Sequence, residues 1–140
     1  VINEISTQTT NPTIQDATLV TKAPRLKKED GVIPWDKSSR LACCHIRGVQ
    51  PWPKPSTTLH FHDGRTLRVL ILEAVPVDRL DRPIEGDPGT IEVEDRKQLF
   101  VKTGESGAVE VLSLQPEGKR AMSPVEFQNG HDLSSGARFQ

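Results

Sequence analysis

Histidine and cysteine side chains that could bind a metal or act in catalysis fall mainly in two short stretches. Cys43 and Cys44 are adjacent, and His60 and His62 alternate, which places both imidazoles on one face of a predicted strand. These side chains could share a metal ion, but the paired Cys-x-x-Cys or His-x-x-x-His spacing of zinc sites does not occur. We therefore favour a solvated strand face and small apolar cysteines in a helix.

Other patterns of catalytic chemistry are also missing from the sequence. There is no glycine-rich phosphate loop, because the glycines from Gly86 onward fall at predicted turns. Glu92 and Glu94 share a strand face, and we interpret them as an exposed charged rim. No nucleophile or base has a recognisable orienting partner. We conclude that the chain contains no active site of its own.

Charge is segregated along the chain although its net value is −1. Residues 19–28 carry four basic residues and no acid, and residues 37–68 carry six basic residues against one acid. Residues 73–95 carry eight acids against two arginines. This pattern predicts one face that attracts phosphates and an opposite end that repels them. A chance segregation of solvated charges would give the same pattern.

The composition indicates one small domain. The chain has 140 residues, of which 34% are apolar and 4% aromatic, so a core must be small and built mainly from Val, Leu and Ile. No apolar run is long enough to span a membrane, and no signal peptide is recognisable. Adjacent cysteines favour a reducing compartment. The start at Val1, without Met, suggests a processed or excised piece.

Residues 1–34 predict an extended linker that follows the remnant of a preceding domain. The segment 6–11 is almost entirely polar, and Pro12, Pro24 and Pro34 each favour extended structure before them. We expect this arm to be ordered only where it lies on another surface. Asp36 is then the predicted N-cap of a helix over residues 36–49, with an apolar stripe at three positions. These positions are Ala42, Ile46 and Val49.

From residue 56 onward the hydrophobic period changes to two. Five strands are predicted, with a hairpin turn at Asp63-Gly64, and Ser123 and Glu126 form the capping box of a second short helix. The strands cover residues 57–62, 65–77, 89–93, 98–103 and 108–114. We therefore predict a mainly β domain over residues 35–140, an OB-like five-stranded barrel with two short helices, preceded by an extended linker.

Two segments carry a specific resemblance to a known family. Residues 46–53, with Pro51-Trp52-Pro53, and residues 112–130 resemble the C-terminal domain of methionyl-tRNA formyltransferases. Residues 15–35 resemble the interdomain linker of the same family. The chain departs from the pattern at Pro34, where the family usually has Asp, and at His60-Phe61-His62, which has no assignable counterpart.

The resemblance implies a linker and barrel that bind initiator methionyl-tRNA by its backbone. A Rossmann-like catalytic domain, expected to precede them, would transfer a formyl group from 10-formyltetrahydrofolate, so this chain holds no cofactor and no catalytic residue. We expect a monomer without membrane contact that works in the bacterial cytoplasm, with an organelle matrix as the alternative. The expected tRNA-binding residues are Lys22, Arg25, Lys27, Lys28, Arg40, Arg47, Lys119 and Arg120.

Some residues in these segments have a structural interpretation that does not involve RNA. Arg47 would also stabilise the helix dipole as a C-terminal cation. Trp52 is interpreted as a core plug between two prolines rather than a base-stacking residue, and Pro116 and Gly118 as residues that shape a turn. Two other functions stay open: a structural module of a formyltransferase acting on a sugar nucleotide or folate, and an interdomain packing module without RNA contact.

Overall fold

A computed structural model describes residues 13–77, 80, 82–104, 107–133 and 136–140. The predicted remnant at residues 1–5 and the polar run at 6–11 lie outside these ranges. The described residues contain two α-helices, six β-strands and two short 3-10 turns at Ala17–Leu19 and Lys28–Gly31. The helices are α1 (Ser39–Gly48) and α2 (Pro124–Gly130). The strands are β1 (Ser56–His60), β2 (Thr66–Val77), β3 (Ile91–Glu94), β4 (Gln98–Lys102), β5 (Ala108–Pro116) and β6 (Arg138–Phe139).

The strands form one antiparallel sheet in the order β3-β4-β5-β2-β1-β6. β2 is central and pairs with both β1 and β5, with Ser56 opposite Leu70 on one side and Val69 opposite Pro116 on the other. The predicted mainly β, OB-like barrel is confirmed, with β6 added as a sixth strand in the described residues. In that same part of the chain no helix has the length and apolar character needed to cross a membrane.

The two edge strands meet at one point and nearly close the barrel. Thr90 and Arg138 form an antiparallel bridge, and the Phe139 N–H donates to the Gly89 carbonyl over 2.8 Å. Gly89 has a φ of +92°, and a Cβ atom there would lie 2.1 Å from the Phe139 carbonyl oxygen. Closure at this contact therefore requires glycine, both for its backbone conformation and for the close approach.

The core joins the segment before α1 to the last strand. The Trp35 ring stacks on Phe139, with centroids 5.8 Å apart and ring planes 14° from parallel. Trp35 Nε1 donates to the Thr57 hydroxyl over 3.0 Å, and that hydroxyl donates to the Gln140 carbonyl over 3.2 Å. Apolar side chains from β1, β2, β4 and β5 fill the interior together with residues from both helices. The core is therefore small and mainly aliphatic, as composition predicts.

Helix α1 begins later than predicted. Ser38, not Asp36, is the N-cap, and its hydroxyl accepts from the Leu41 N–H over 3.5 Å. Residues 35–37 instead form a turn packed against Gly104, whose N–H donates to the Trp35 and Lys37 carbonyls. This turn must end before helical geometry can start, so the prediction for Asp36 was wrong. The predicted apolar stripe of α1 is buried, as expected.

The Gln50 side chain hydrogen-bonds the end of α1 to a β-bulge in β2. The β2–β5 register shifts around Leu72, which has no direct partner in β5. The Gln50 side-chain amide donates to the Leu72 carbonyl over 2.8 Å and to the Ile46 carbonyl over 3.2 Å. Gln50 thereby satisfies a carbonyl at the bulge and one at the helix end, and holds the loop that follows α1 in place.

Candidate nucleic-acid interface

The arm carries four of the predicted tRNA-binding residues on a fully exposed stretch of chain. Residues 13–30 are exposed throughout, and Lys22, Arg25, Lys27 and Lys28 pair with no carboxylate among the described residues. Their charges are therefore available to a partner. Lys22 and Arg25 lie earlier on the arm, where no hydrogen bond or ion pair joins them to the barrel in the described structure.

The arm meets the barrel just after Lys28. The Ile33 N–H donates to the Ser56 carbonyl over 3.0 Å, which places this segment beside β1. At Gly31 the backbone passes so close to the next loop that a Cβ atom would lie 2.4 Å from the Lys54 carbonyl oxygen. The last basic residues of the arm, Lys27 and Lys28, thus come only a few positions before Gly31, the residue whose backbone contacts Lys54.

Helix α1 presents Arg40 and Arg47 seven residues apart, on the same exposed face. Cys44 lies between them, and Arg47 Nη2 approaches its sulfur at 3.4 Å. The opposite face of α1 is buried against the sheet through Cys43 and Ile46. Arg47 also falls in the last turn, where a cation favours the helix dipole, so both interpretations of this residue fit its position.

The turn after β5 is closed by a pair of backbone hydrogen bonds. Leu114 and Met122 bond to each other in both directions, at 3.1 and 2.9 Å. Inside this loop Gly118 has a φ of +73°, and the Lys119 carbonyl accepts from the Gln115 amide over 2.8 Å. These contacts confirm that Gly118 shapes a turn. They leave the Lys119 side chain exposed at its edge.

Arg120 differs from Lys119 because it is paired. Its Nη2 lies 2.7 Å from Glu126 Oε1, and the same carboxylate accepts from the Ser123 N–H over 2.9 Å. These bonds, the one from Ser123 first, lower the pKa of Glu126. The predicted capping box of α2 is confirmed, and Arg120 is engaged with it rather than available in full to a phosphate.

A cavity of about 270 Å³ lies between the arm junction and the turn after β5. Lys54 and Arg68 line it on one side, and Gln115 and Glu117 line it on the other. The pairing of β2 with β5 creates this arrangement, because it sets Arg68 beside the end of β5. Sequence analysis did not select Lys54 or Arg68. The only signal was their place in the basic stretch 37–68.

Two acidic residues of β3 lie across the barrel from this cavity. Glu92 and Glu94 belong to β3, which is three positions away from β2 in the nearly closed six-strand ring. Glu92 is partly neutralised by Arg82, whose guanidinium bonds to its carboxylate. The β3 region is nevertheless mixed in charge, because Arg96 and Lys97 are exposed in the turn that follows it. The described structure thus has a local group of cations at the cavity, but no uniformly acidic opposite face.

Trp52 is not a core plug. Its side chain is 55% exposed, whereas Trp35 is only 5% exposed and fills the core instead. The loop that carries Trp52 is fixed from both sides, by Gln50 and by the Lys54 N–H, which donates to the Val49 carbonyl over 2.9 Å. The prediction of a core plug at Trp52 was therefore wrong, and Trp35 is the tryptophan that fills the core.

A second ring cluster surrounds His131. Its ring centroid lies 4.6 Å from that of Phe127 and 5.7 Å from that of Phe61, and the Arg65 guanidinium sits 5.0 Å above the Phe61 ring. Burial lowers the pKa of His131, and the nearby positive charge of Arg65 adds to the effect. This histidine is therefore packed as a neutral aromatic ring.

The cysteine and histidine residues do not assemble into a metal site in the described structure. No group of three His, Cys, Asp or Glu side chains there is placed to hold a metal ion. Burial raises the pKa of Cys43 to about 11, so its thiol stays protonated at neutral pH. Cys44 is exposed, and His60 and His62 lie at the end of β1 and just beyond it.

Comparison with known proteins gives consistent matches. The sequence profile of the family described as "Formyl transferase, C-terminal domain" matches residues 25–132. Proteins named methionyl-tRNA formyltransferase from Chlamydia pneumoniae and Dictyoglomus thermophilum are 40% and 37% identical to the chain, over 84% and 92% of it. One from Anaeromyxobacter dehalogenans is 41% identical over 85% of the chain. The matches span 36%, 39% and 36% of these three relatives, so the chain covers well under half of each.

Proposed function

The chain belongs to the family of formyl transferase C-terminal domains, and from that premise we propose that it is the tRNA-binding domain of a methionyl-tRNA formyltransferase. It holds the backbone of initiator methionyl-tRNA. A Rossmann-like catalytic domain of the same protein then transfers a formyl group from 10-formyltetrahydrofolate to the methionyl amino group. The names of the bacterial relatives support this assignment and a place in the bacterial cytoplasm.

The observation that carries the proposal is the gathering of unpaired cations on one side of the barrel. Lys54 and Arg68 line the cavity, and Lys119 follows Gly118, which also lines it. Lys27 and Lys28 precede Gly31, whose backbone contacts that of Lys54. The carboxylates of β3 lie on the other side. Such a surface attracts a phosphate backbone and orients it without reading sequence, because phosphate contacts position a nucleic acid rather than specify it.

In this proposal the chain supplies affinity and orientation, and the chemistry belongs to the catalytic domain. The Cys43 thiol is protonated and His131 is packed between aromatic rings, so neither is placed to act on a substrate. We expect no formyl transfer by the chain alone. Measurable turnover by the purified chain would contradict this division of labour.

The test is the affinity of the chain for initiator tRNA as a function of salt concentration. The slope of log affinity against log salt reports the number of phosphate contacts, at about 0.7–0.9 per contact. We expect Lys27→Gln with Lys28→Gln to reduce the slope by about 1.4–1.8, and Lys119→Gln to reduce it by about a further 0.7–0.9.

The matched control is Arg96→Gln with Lys97→Gln, which removes two exposed cations from the turn between β3 and β4. That pair lies across the barrel from the cavity and should leave the slope unchanged. An unchanged slope in the Lys27 and Lys28 variant, or an equal loss in the control, would reject the assignment of these residues.

A further inference from the structure

Trp52 is a large aromatic side chain held in solvent by an anchored loop. More than half of its surface is exposed, and the bonds from Gln50 to the Leu72 and Ile46 carbonyls fix the chain on which it stands. Pro51 and Pro53 on either side restrict the backbone further. The ring therefore needs little further ordering to receive a flat partner, and binding loses correspondingly little entropy.

The next residues along the chain enter the cavity beside β2. Pro53 and Lys54 line that cavity together with Arg68, Gln115 and Glu117. Its volume of about 270 Å³ is just below the range of about 300–1,000 Å³ for small-molecule sites, so it suits a small anionic group such as a phosphate. Lys54 pairs with no described carboxylate, and Arg68 makes one long hydrogen bond, 3.5 Å from Nη2 to the Ser56 hydroxyl. Neither cation forms an ion pair with Glu117 in the same cavity, so both can bind an anionic group.

We propose that Trp52 and this cavity form a subsite for one unpaired nucleotide of RNA. The base stacks on the Trp52 ring, and the adjoining phosphate lies between Lys54 and Arg68. This inference rests on the proposed function and adds a contact of a different kind, because a phosphate backbone alone gives no reason for an exposed aromatic ring.

The combination of groups favours single-stranded RNA over other anionic partners. Aromatic stacking beside a basic groove is the common means of binding single strands, since every base offers a flat π face whatever its identity. The bases of a paired helix are stacked on one another and cannot reach a protruding ring, so recognition is directed to loops and free ends. The subsite is thus expected to discriminate unpaired from paired RNA rather than one sequence from another.

The test uses the 140-residue chain and two RNA probes, a single-stranded tetranucleotide and a blunt duplex. Trp52 reports its own occupancy, because Trp35 is buried and shielded from quenching. We expect the single strand to quench Trp52 fluorescence. Trp52→Leu should weaken single-strand binding, followed by labelled RNA, about 5- to 150-fold and leave duplex binding unchanged. Trp52→Phe should recover most of the affinity.

The two cations give a second, independent readout. Lys54→Met and Arg68→Gln should each reduce the salt slope for the single strand by about 0.7, whereas Trp52→Leu should lower affinity without changing that slope. Val125→Ala removes an exposed apolar side chain from α2 and is the control that should change neither quantity. Binding of the single strand by Trp52→Leu as tightly as by the unsubstituted chain would overturn the subsite.

Failure of the subsite and failure of the proposed function give different results. If Trp52→Leu has no effect while Lys27→Gln with Lys28→Gln still reduces the tRNA salt slope, only the subsite is wrong. If the unsubstituted chain binds neither tRNA nor the single strand, both are wrong. Quenching by inorganic phosphate alone, with no added effect of a nucleoside 5′-monophosphate, would indicate an anion site without base stacking and would also overturn the subsite.

Discussion

The ring of Trp35 stacks on the ring of Phe139, with centroids 5.8 Å apart, and so joins the segment that leaves the arm to the final strand of the barrel. The two residues are more than one hundred positions apart in the sequence. The Trp35 indole N–H also reaches Thr57 of β1. A single side chain thus links the arm junction, the first strand and the last.

The first prediction compares the two tryptophans. Trp35→Ala should lower the free energy of unfolding by about 3–5 kcal/mol, since it removes a buried aromatic ring and leaves the Thr57 hydroxyl with one partner fewer. Trp52→Ala should lower it by no more than about 1 kcal/mol, because most of that ring is in solvent. Urea unfolding of both variants measures the difference. Equal losses in the free energy of unfolding would contradict the difference in burial between Trp35 and Trp52.

The second prediction concerns barrel closure. Gly89→Ala should destabilise the chain by more than about 2 kcal/mol, because strain at positive φ alone amounts to about 1–3 kcal/mol and the Phe139 carbonyl must also move. Gly48→Ala is the control, since a Cβ atom at the end of α1 meets nothing within 4 Å. It should change the free energy of unfolding by about 1 kcal/mol or less. Thermal unfolding of the two variants measures the difference in stability. A Gly89→Ala variant that is only slightly destabilised would mean that the contact between β3 and β6 contributes little to the stability of the fold.

The third prediction is a pH dependence of stability. The pKa of His131 is lower in the folded chain than in the unfolded one, so the unfolded chain binds a proton first as pH falls. Stability should be full above the ordinary histidine pKa of about 6.5 and decline as pH falls through it towards the lower folded value.

Replacement of the ring identifies the histidine responsible for that decline. His131→Phe keeps a ring between Phe61 and Phe127 and should flatten the stability profile between about pH 7 and 5.5. His62→Asn, at an exposed position, should leave the profile unchanged. Denaturant unfolding at a series of pH values provides the measurement, and a profile that survives His131→Phe would show that another group is responsible.

The fourth prediction separates Lys119 from Arg120. Lys119→Gln should reduce the tRNA salt slope by about 0.7–0.9, the value of one phosphate contact. It should leave stability unchanged, since the Lys119 side chain is exposed at the turn. Arg120→Gln should reduce the slope less, because that guanidinium is already paired with Glu126. It should also lower the stability of α2 only slightly, because the ion pair is exposed to solvent. The opposite ranking of the two slopes would show that Arg120 leaves Glu126 to bind RNA.

Local signals in the sequence were sufficient for most of the secondary structure. Alternating strands, the Asp63-Gly64 turn and the Ser123–Glu126 capping box depend on neighbours within a few residues, and the structure agrees with them. Strand β6 was missed because two residues carry no period. It is a strand only because Phe139 and its neighbour pair with β1.

The basic cavity could not be predicted for the same reason. The β2–β5 pairing, which joins positions more than forty residues apart, brings Arg68 beside Gln115. The β1–β2 pairing brings Lys54, which precedes β1, to the same cavity. Trp52 was misjudged because its two flanking prolines do not reveal which of the two tryptophans fills the core, a place that Trp35 takes. The resemblance of residues 112–130 to a known family identified the right class of protein but not this cavity.

Lys54 and Lys119 lie close to the cavity beside β2 and make no ion pair among the described residues, so their positive charge is concentrated on one part of the surface. In the field of a polyanion such a patch experiences a torque that turns it forward while the molecule is still diffusing. Rotational alignment would therefore precede the first contact, and fewer encounters would be lost to unproductive orientations.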